Sequence, residues 1–440
     1  MIAGQKTKVA VVGAGPTGLA AGRALKSHGI DFEIFEKHSD VGGIWDLENP
    51  GSPMYKNAHF ISSKTMSGFA DYPMPDDYPD YPSNRQILDY IRAFARVRGL
   101  YPHIRLSTAV KSTERTASGW TLHLGDGSSS AFTHLIAAPG TNWAPNRITV
   151  PGALSGQVIH SVDYKNASQM AGKRVLIMGA GNSGCDIACD AARSGDAAFI
   201  SMRRGYHFIP KHVFGKPADV FAATGPKLPV WAAQKVFGVL LRLIVGDMTR
   251  HGVPKPDHKL FETHPILNDQ LIHHLRHGDI TVRPDVERFD GKDVVFKDGT
   301  REPIDLIIQA TGYDWPIPFI DKSLLSWNSE RPDLYLNLFA PNDSRLFVIG
   351  FLETNGGIYE VVDQSADLIA RAIMAEDNDA ATHKTLRALV SSTNPDVSGG
   401  INFVKSARHT HYADMDTYKK KLKSFTLQLG WPLPAKLAKH

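Results

Sequence analysis

Two cysteines among 440 residues are too few for a disulfide framework, so Cys185 and Cys189 point to a reducing compartment. No uninterrupted run of about 20 apolar residues occurs, the length needed to span a bilayer. The most membrane-like stretch, residues 228–248, is broken by Gln234, Lys235 and Arg242 and reads as a partly buried amphipathic helix. Membrane docking is therefore not expected. Residues 1–8 lack the basic start, long apolar core and cleavage site of a signal peptide, which makes the cytoplasm the expected location. Charge of one sign is scarce too. Lys and Arg number 49 against 45 Asp and Glu, and a net charge of +4 is too small for a nucleic-acid footprint. No metal site is expected: His273, His274 and His277 have no acidic or cysteine partner at ligand spacing and read as an exposed helix surface.

What is present is a globular composition, 42% hydrophobic and 21% charged, in a chain long enough for two or three domains. One supersecondary unit occurs twice. Residues 9–12 form an apolar strand leading into Gly13, Gly15 and Gly18 and then an Ala/Leu-rich helix. Residues 174–178 lead in the same way into Gly179, Gly181, Asn182, Ser183 and Gly184. In each loop the first glycine permits the tight turn, the second lets a pyrophosphate approach the backbone, and the third allows close helix–strand packing. The helix N-terminus then offers unpaired N–H groups and a positive dipole end to the phosphates.

The two units differ where the following strand ends. Glu36 closes the strand at 31–35, where its carboxylate can accept from ribose hydroxyls and repels a 2′-phosphate, so this site suits FAD or NAD. Arg203 and Arg204 follow the strand at 198–202, and a guanidinium fork there matches the 2′-phosphate of NADPH, with Ser201 as an accessory donor. Gly43 and Trp45, soon after the first unit, read as a wall for a flat flavin ring.

The expected fold is α/β, with two Rossmann-like dinucleotide-binding domains and the NADPH domain inserted into the FAD domain. The expected division is 1–165 and 296–440 for the FAD domain and 166–295 for the NADPH domain. Within the latter, residues 205–275 read as a helical insertion. Ile87, Tyr90, Ile91 and Phe94 share one face of an expected helix. A last core helix is expected at 361–374, followed by a tail after Asp377 lying on the surface.

Four ordered motifs carry a resemblance. Residues 154–164 contain Gly156, His160 and Tyr164 at the spacing of the F-x-G-x-x-x-H-x-x-x-[YF] signature, with Leu154 in place of Phe. Residues 305–313 match D-x-x-x-x-A-T-G-Y and include Thr311 and Gly312. Residues 54–73 look like an active-site segment, and Arg203-Arg204-Gly205 like an NADPH-binding arginine region. The chain thus resembles the flavin-containing monooxygenases, class B flavoprotein monooxygenases. The resemblance implies that NADPH reduces FAD and that O₂ adds at flavin C4a. The resulting (hydro)peroxyflavin then gives its distal oxygen to a soft nucleophile, a sulfide or an amine. Such chemistry depends on excluding water rather than on a nucleophile–base pair. The partners it implies are O₂ and a small-molecule substrate. His160 reads as a brace at the domain junction rather than a catalytic group, and Thr311 and Gly312 as a chain crossing near the cofactors.

One departure stands out. The family places Asn three residues before the lysine of the active-site segment, where its amide contacts the flavin adduct and NADP⁺; counting back from Lys64, this chain has Ile61. An aliphatic side chain donates no hydrogen bond. Either Ser62 or Ser63 takes over that role, or NADPH oxidation is more uncoupled here. A drier site also suits Baeyer–Villiger oxygenation of ketones, and a flavin-binding NADPH oxidase or redox-sensing protein is a further alternative. A disulfide reductase is disfavoured, because Cys185 and Cys189 lie on the helix after the second glycine loop, where they suit packing.

Overall fold

The computed structural model describes residues 6–328, 331–406 and 412–433. Two five-stranded, wholly parallel sheets organise it. The first runs, edge to edge, Leu346–Val348, His134–Ala137, Lys8–Val12, Asp31–Phe35 and Ile104–Arg105. The second runs Gln157–His160, Leu306–Gln309, Arg174–Met178, Ala197–Ser201 and Ile280–Arg283.

The period of two along a strand explains why the central strands read as unbroken apolar runs: both faces are covered. Val9 and Val11 point into one core while Ala10 and Val12 point into another. Arg174–Met178 repeats this, with Val175 and Ile177 on one side and Leu176 and Met178 on the other. The glycine-loop helices Pro16–Ser27 and Asn182–Ser194 cover one face of each sheet. The opposite faces are covered by antiparallel layers, Val110–Thr116 with Gly119–Leu124 and Ser129–Phe132 under the first, and strands including Asp293–Phe296 under the second.

The helix Asn84–Val97 carries the expected apolar face. Ile87, Tyr90, Ile91 and Phe94 are all buried, worth about 2 kcal/mol for each such side chain. Ser83 and Gln86 form a capping box that fixes its start.

The second sheet takes Gln157–His160 and Leu306–Gln309 as strands, both outside the 166–295 expected for that unit. Gln157–His160 is the edge strand, and Leu306–Gln309 pairs in parallel on both sides, with Gln157–His160 and Arg174–Met178. The tail is a correction to the sequence reading. The core helix extends over Tyr359–Asn378, and beyond it Ala380–Val390 and Met415–Gln428 pack onto the first core through Leu386, Val390, Tyr418, Leu422 and Phe425. The apolar stripe at 418, 422 and 425 has helical spacing but is masked in the sequence by Lys419, Lys420, Lys421 and Lys423.

Residues 205–275 hold the α-helices Ala218–Thr224 and Val230–Ile244, a 3-10 turn at Met248–His251 and most of the helix Asp269–His277. Val230–Ile244 is partly buried, with Trp231, Val239 and Leu243 exposed alongside Lys235 and Arg242. Among the described residues no helix is long and apolar enough to cross a membrane.

Candidate functional site

The two glycine loops sit at the carboxyl ends of the central strands, where open α/β sheets bind ligands. They are built alike. Gly13 has φ +112° and its missing Cβ would fall 2.3 Å from Ala138 O; Gly179 has φ +106° and meets Ala310 O at 2.6 Å. Gly18 packs against Gly13 O, and Gly184 against Gly179 O, so closely that a Cβ would lie at 1.8 and 2.1 Å. Gly15 differs: a Cβ there would touch only Gly43 Cα, at 3.7 Å. The second glycine is thus required not by the protein's own packing but by whatever lies beyond it. Gly15 and Gly181 cap their helices with extended backbone and no side-chain hydrogen bond, leaving the first-turn N–H groups to a ligand.

Glu36 is buried and its two carboxylate oxygens accept from Ala14 N (2.7 Å) and His38 N (3.0 Å). A carboxylate has lone pairs left after two such bonds, so it remains competent for a ribose diol. Gly43 backs onto Gly15, and half-buried Trp45 stands 5.1 Å from Phe60, ring to ring. The loop after Leu346–Val348 closes the same region, with Gly350 (φ +89°) over Thr17 and Gly357 against Ser67. These residues fit FAD: a glycine cradle with free helix N–H groups, an acidic strand end and an aromatic wall.

In the second loop, Arg203 is exposed and Arg204 is held 3.6 Å from Asp257 of the insertion. Two guanidinium groups at this strand end, one of them exposed, are a donor set that fits the added phosphate of NADPH. Ser201 is buried and gives its proton to Pro284 O (2.8 Å), so it is not the accessory donor the sequence suggested. Asn182 ties the loop to the insertion, donating to Pro265 O (3.2 Å) and accepting from Leu267 N (3.1 Å); Ser183 is exposed.

The signature residues act as joints. A Cβ on Gly156 would lie 2.6 Å from Asp305 O, so glycine lets the linker lie flat on the neighbouring chain. His160 Nδ1 accepts from Val162 N (3.1 Å), and with one ring nitrogen accepting, Nε2 donates to Gly312 O (3.1 Å). Burial and, secondly, the Arg147 charge hold the His160 pKa below its ordinary value. Below pH about 6.5 the unfolded chain therefore takes up a proton that the folded chain resists. Stability contributed at His160 falls as pH drops through that window, a loss that Arg147→Gln is expected to shrink in pH-dependent unfolding. Thr311 Oγ1 donates to Asn146 O (2.5 Å), and Gly312 adopts φ +89°. Tyr164 donates to Asp190 Oδ2 (2.8 Å), and Asp190 also holds Asn57 (3.2 Å) and Arg193 (2.5 Å). Tyr164→Phe is expected to cost about 2 kcal/mol in denaturant unfolding, the price of one hydrogen bond lost from a buried carboxylate.

Residues 54–73 begin between the two units. Tyr55 donates to Asp186 Oδ2 (3.0 Å) on the second glycine-loop helix, and Asn268 donates to Asp186 Oδ1 (2.6 Å). Burial pushes the Asp186 carboxyl up. The pair Asp186 and Asp190 was missed by sequence reading; its signal was two carboxylates one helical turn apart on a helix rich in Ala, Cys and Ile. Ile61 is 38% exposed and Ser62 half-buried, whereas Ser63 is fully enclosed, its hydroxyl without a partner. Ser62 Oγ accepts from Ser67 Oγ (2.7 Å), which leaves its own proton to give. Ser63 is walled off, so of the two serines only Ser62 retains a path outward. Lys64 spends its ammonium on the carbonyls of Asp76 (2.6 Å) and Tyr78. Cys185 and Cys189 are free and buried; burial raises both thiols, that of Cys189 to about 12, which suits packing and not redox exchange. Among the described residues no group of three metal-ligating side chains gathers, and the exposed rings of His273 and His277 meet at a tilt, 4.0 Å apart.

The comparisons agree with this geometry. The sequence matches the family described as Flavin-binding monooxygenase-like over residues 6–425. It is 31% identical to flavin-containing monooxygenase 5 of Homo sapiens, over 94% of this chain and 82% of that protein. Among solved structures it is similar to closed cyclohexanone monooxygenase (TM-score 0.72, 17% identity, 97% of each chain). It is also similar to S-allyl-L-cysteine S-oxygenase from Allium sativum (TM-score 0.65, 19% identity, 99% of this chain and 91% of that one). With one glycine cradle ending on a buried glutamate and its twin on an arginine pair, the chain belongs to the flavin-containing monooxygenase family, NADPH-dependent oxidoreductases that use FAD.

Proposed function

We propose that this chain is a monooxygenase converting substrate, O₂, NADPH and a proton into oxygenated substrate, water and NADP⁺, with a sulfide or an amine as substrate. Bound FAD supplies the two-electron relay from NADPH to O₂. The observation that carries the reading is the pair of cradles joined by residues 52–64. The first, with Glu36, holds FAD; the second, with Arg203 and Arg204, holds NADPH; Trp45 and Phe60 wall the flavin side. The second unit is read as inserted into the first, and the cytoplasm as its compartment.

Soft nucleophiles are favoured over ketones because they need no base and no cation beside the transferred oxygen. A ketone route builds negative charge there, and Lys64, one of the two lysines of the segment with Lys56, is committed to two carbonyls. The neighbours' names include both an S-oxygenase and a cyclohexanone monooxygenase. Assays with a sulfide, an amine and a cyclic ketone separate the two: turnover of the ketone alone would overturn the first reading.

Ile61 favours a leaky version of the reaction. Its side chain offers no hydrogen bond at a position 38% open, and Ser62 carries a spare proton beside it. Ile61→Asn is expected to lower H₂O₂ released per NADPH consumed about fivefold, the weight of one hydrogen bond of about 1 kcal/mol. Unchanged or higher peroxide would show that Ile61 is no lesion. An enzyme releasing peroxide quantitatively with every substrate would instead be an NADPH oxidase.

A further inference from the structure

The insertion grips the segment that carries Ile61. Ser63 N–H donates to Asp219 Oδ2 (2.7 Å), in the first turn of the helix Ala218–Thr224. The other Asp219 oxygen accepts from Val220 N (2.8 Å), which fixes the carboxylate's direction. Beside it, His212 Nε2 meets Asp80 Oδ2 (3.0 Å), the Tyr81 hydroxyl donates to Lys211 O, and the Tyr81 and His212 rings meet edge to face. From Lys64 onward the segment is held by its own unit, through Lys64 N to Asp80 O and Ser67 beneath Gly357. On the other side Phe60 N donates to Pro82 O (2.8 Å). Ile61 and Ser62 therefore form a short span tied to its own unit by the Ser67 Oγ bond to Ser62 Oγ (2.7 Å) and, at its far end, to the insertion by the buried Ser63 amide. A buried N–H with no acceptor is costly, so removing Asp219 loosens the far end of this span, leaving only the Ser67 bond to hold Ser62.

We propose that Asp219 is a positioning residue for oxygen transfer, holding Ile61 and Ser62 from the insertion so that the flavin side stays closed to water. The proposal rests on the monooxygenase reading above. It gives residues 211–219 a role beyond the NADPH unit: the insertion sets how well reduced flavin is protected.

The test uses purified holoenzyme with Asp219→Ala, Asp219→Asn and His212→Ala. Three quantities are read: amide exchange at Ser63, the anaerobic rate of flavin reduction by NADPH, and H₂O₂ released per NADPH in air. Asp219→Ala is expected to speed exchange at Ser63 at least tenfold and to raise peroxide about fivefold, with flavin reduction changed less than twofold. Asp219→Asn keeps an acceptor oxygen and is expected to restore both towards the parent. His212→Ala, which loosens the neighbouring exposed contact, is expected to raise peroxide about twofold, and keeps the test open should Asp219→Ala fail to fold. Unchanged peroxide in the folded variants, or peroxide that rises only as flavin reduction slows, overturns the proposal. A parent that consumes no NADPH would sink the monooxygenase reading instead, and the exchange result would stand apart from it.

Discussion

Alanine at Gly15 is expected to give a folded, colourless protein, and alanine at Gly18 a chain that does not fold. The contrast follows from what each added Cβ meets. At Gly15 it meets Gly43 Cα at 3.7 Å, an ordinary contact, so the fold is spared. The volume it takes lies on the side where a pyrophosphate must approach the backbone. At Gly18 it would lie 1.8 Å from Gly13 O and 2.9 Å from Gly13 C, and Gly13 cannot retreat because Ala138 O stands behind it. A backbone displaced at that crossing costs more than about 4 kcal/mol, a large share of the roughly 5–15 kcal/mol that holds a domain folded. Thermal unfolding and the ratio of flavin to protein absorbance check both. Gly15→Ala should match the flavin-free parent in Tm, since bound cofactor itself stabilises, and should retain less than about a tenth of the flavin. A yellow Gly15→Ala protein would remove the cradle from the account.

The arginine pair carries the second large effect. Arg203→Ala with Arg204→Ala is expected to lower kcat/KM for NADPH about 100-fold, and for NADH less than threefold. Charge-assisted bonds to a phosphate are worth about 1.5–3 kcal/mol each, and NADH has no phosphate there to lose them. Arg204 starts 3.6 Å from Asp257, so part of its gain on NADPH is spent leaving that carboxylate. Asp257→Asn is accordingly expected to tighten NADPH modestly in the same assay. Equal losses for both nucleotides would place the arginines elsewhere than at the 2′-phosphate.

Much of the site was legible because its determinants are local. Glycine spacing, an apolar strand before it and the charge at the end of the next strand all lie within a few dozen residues. Such neighbours report turn geometry and ligand charge without knowledge of the rest of the chain. The helix at 84–97 was legible for the same reason. The tail was misread because four lysines hide the stripe at 418, 422 and 425. The surroundings of Ser201 and of Ser63, one of the two serines offered in place of the missing amide, were not legible because a hydroxyl's partner cannot be inferred from its neighbours in sequence. Ser201 turned to Pro284 O, and Ser63 was sealed inside protein.

The sequence by itself determined the two cradles and the sign of charge each presents, since backbone freedom and side-chain charge belong to the residue. Only the tertiary structure decided which groups meet across the chain. Asp219 reaches Ser63 across 156 residues, and Asp186 reaches Tyr55 across 131. Such pairings arise when sheets, linkers and insertion pack, because a carboxylate buried by that packing must accept from whichever donor the fold brings beside it.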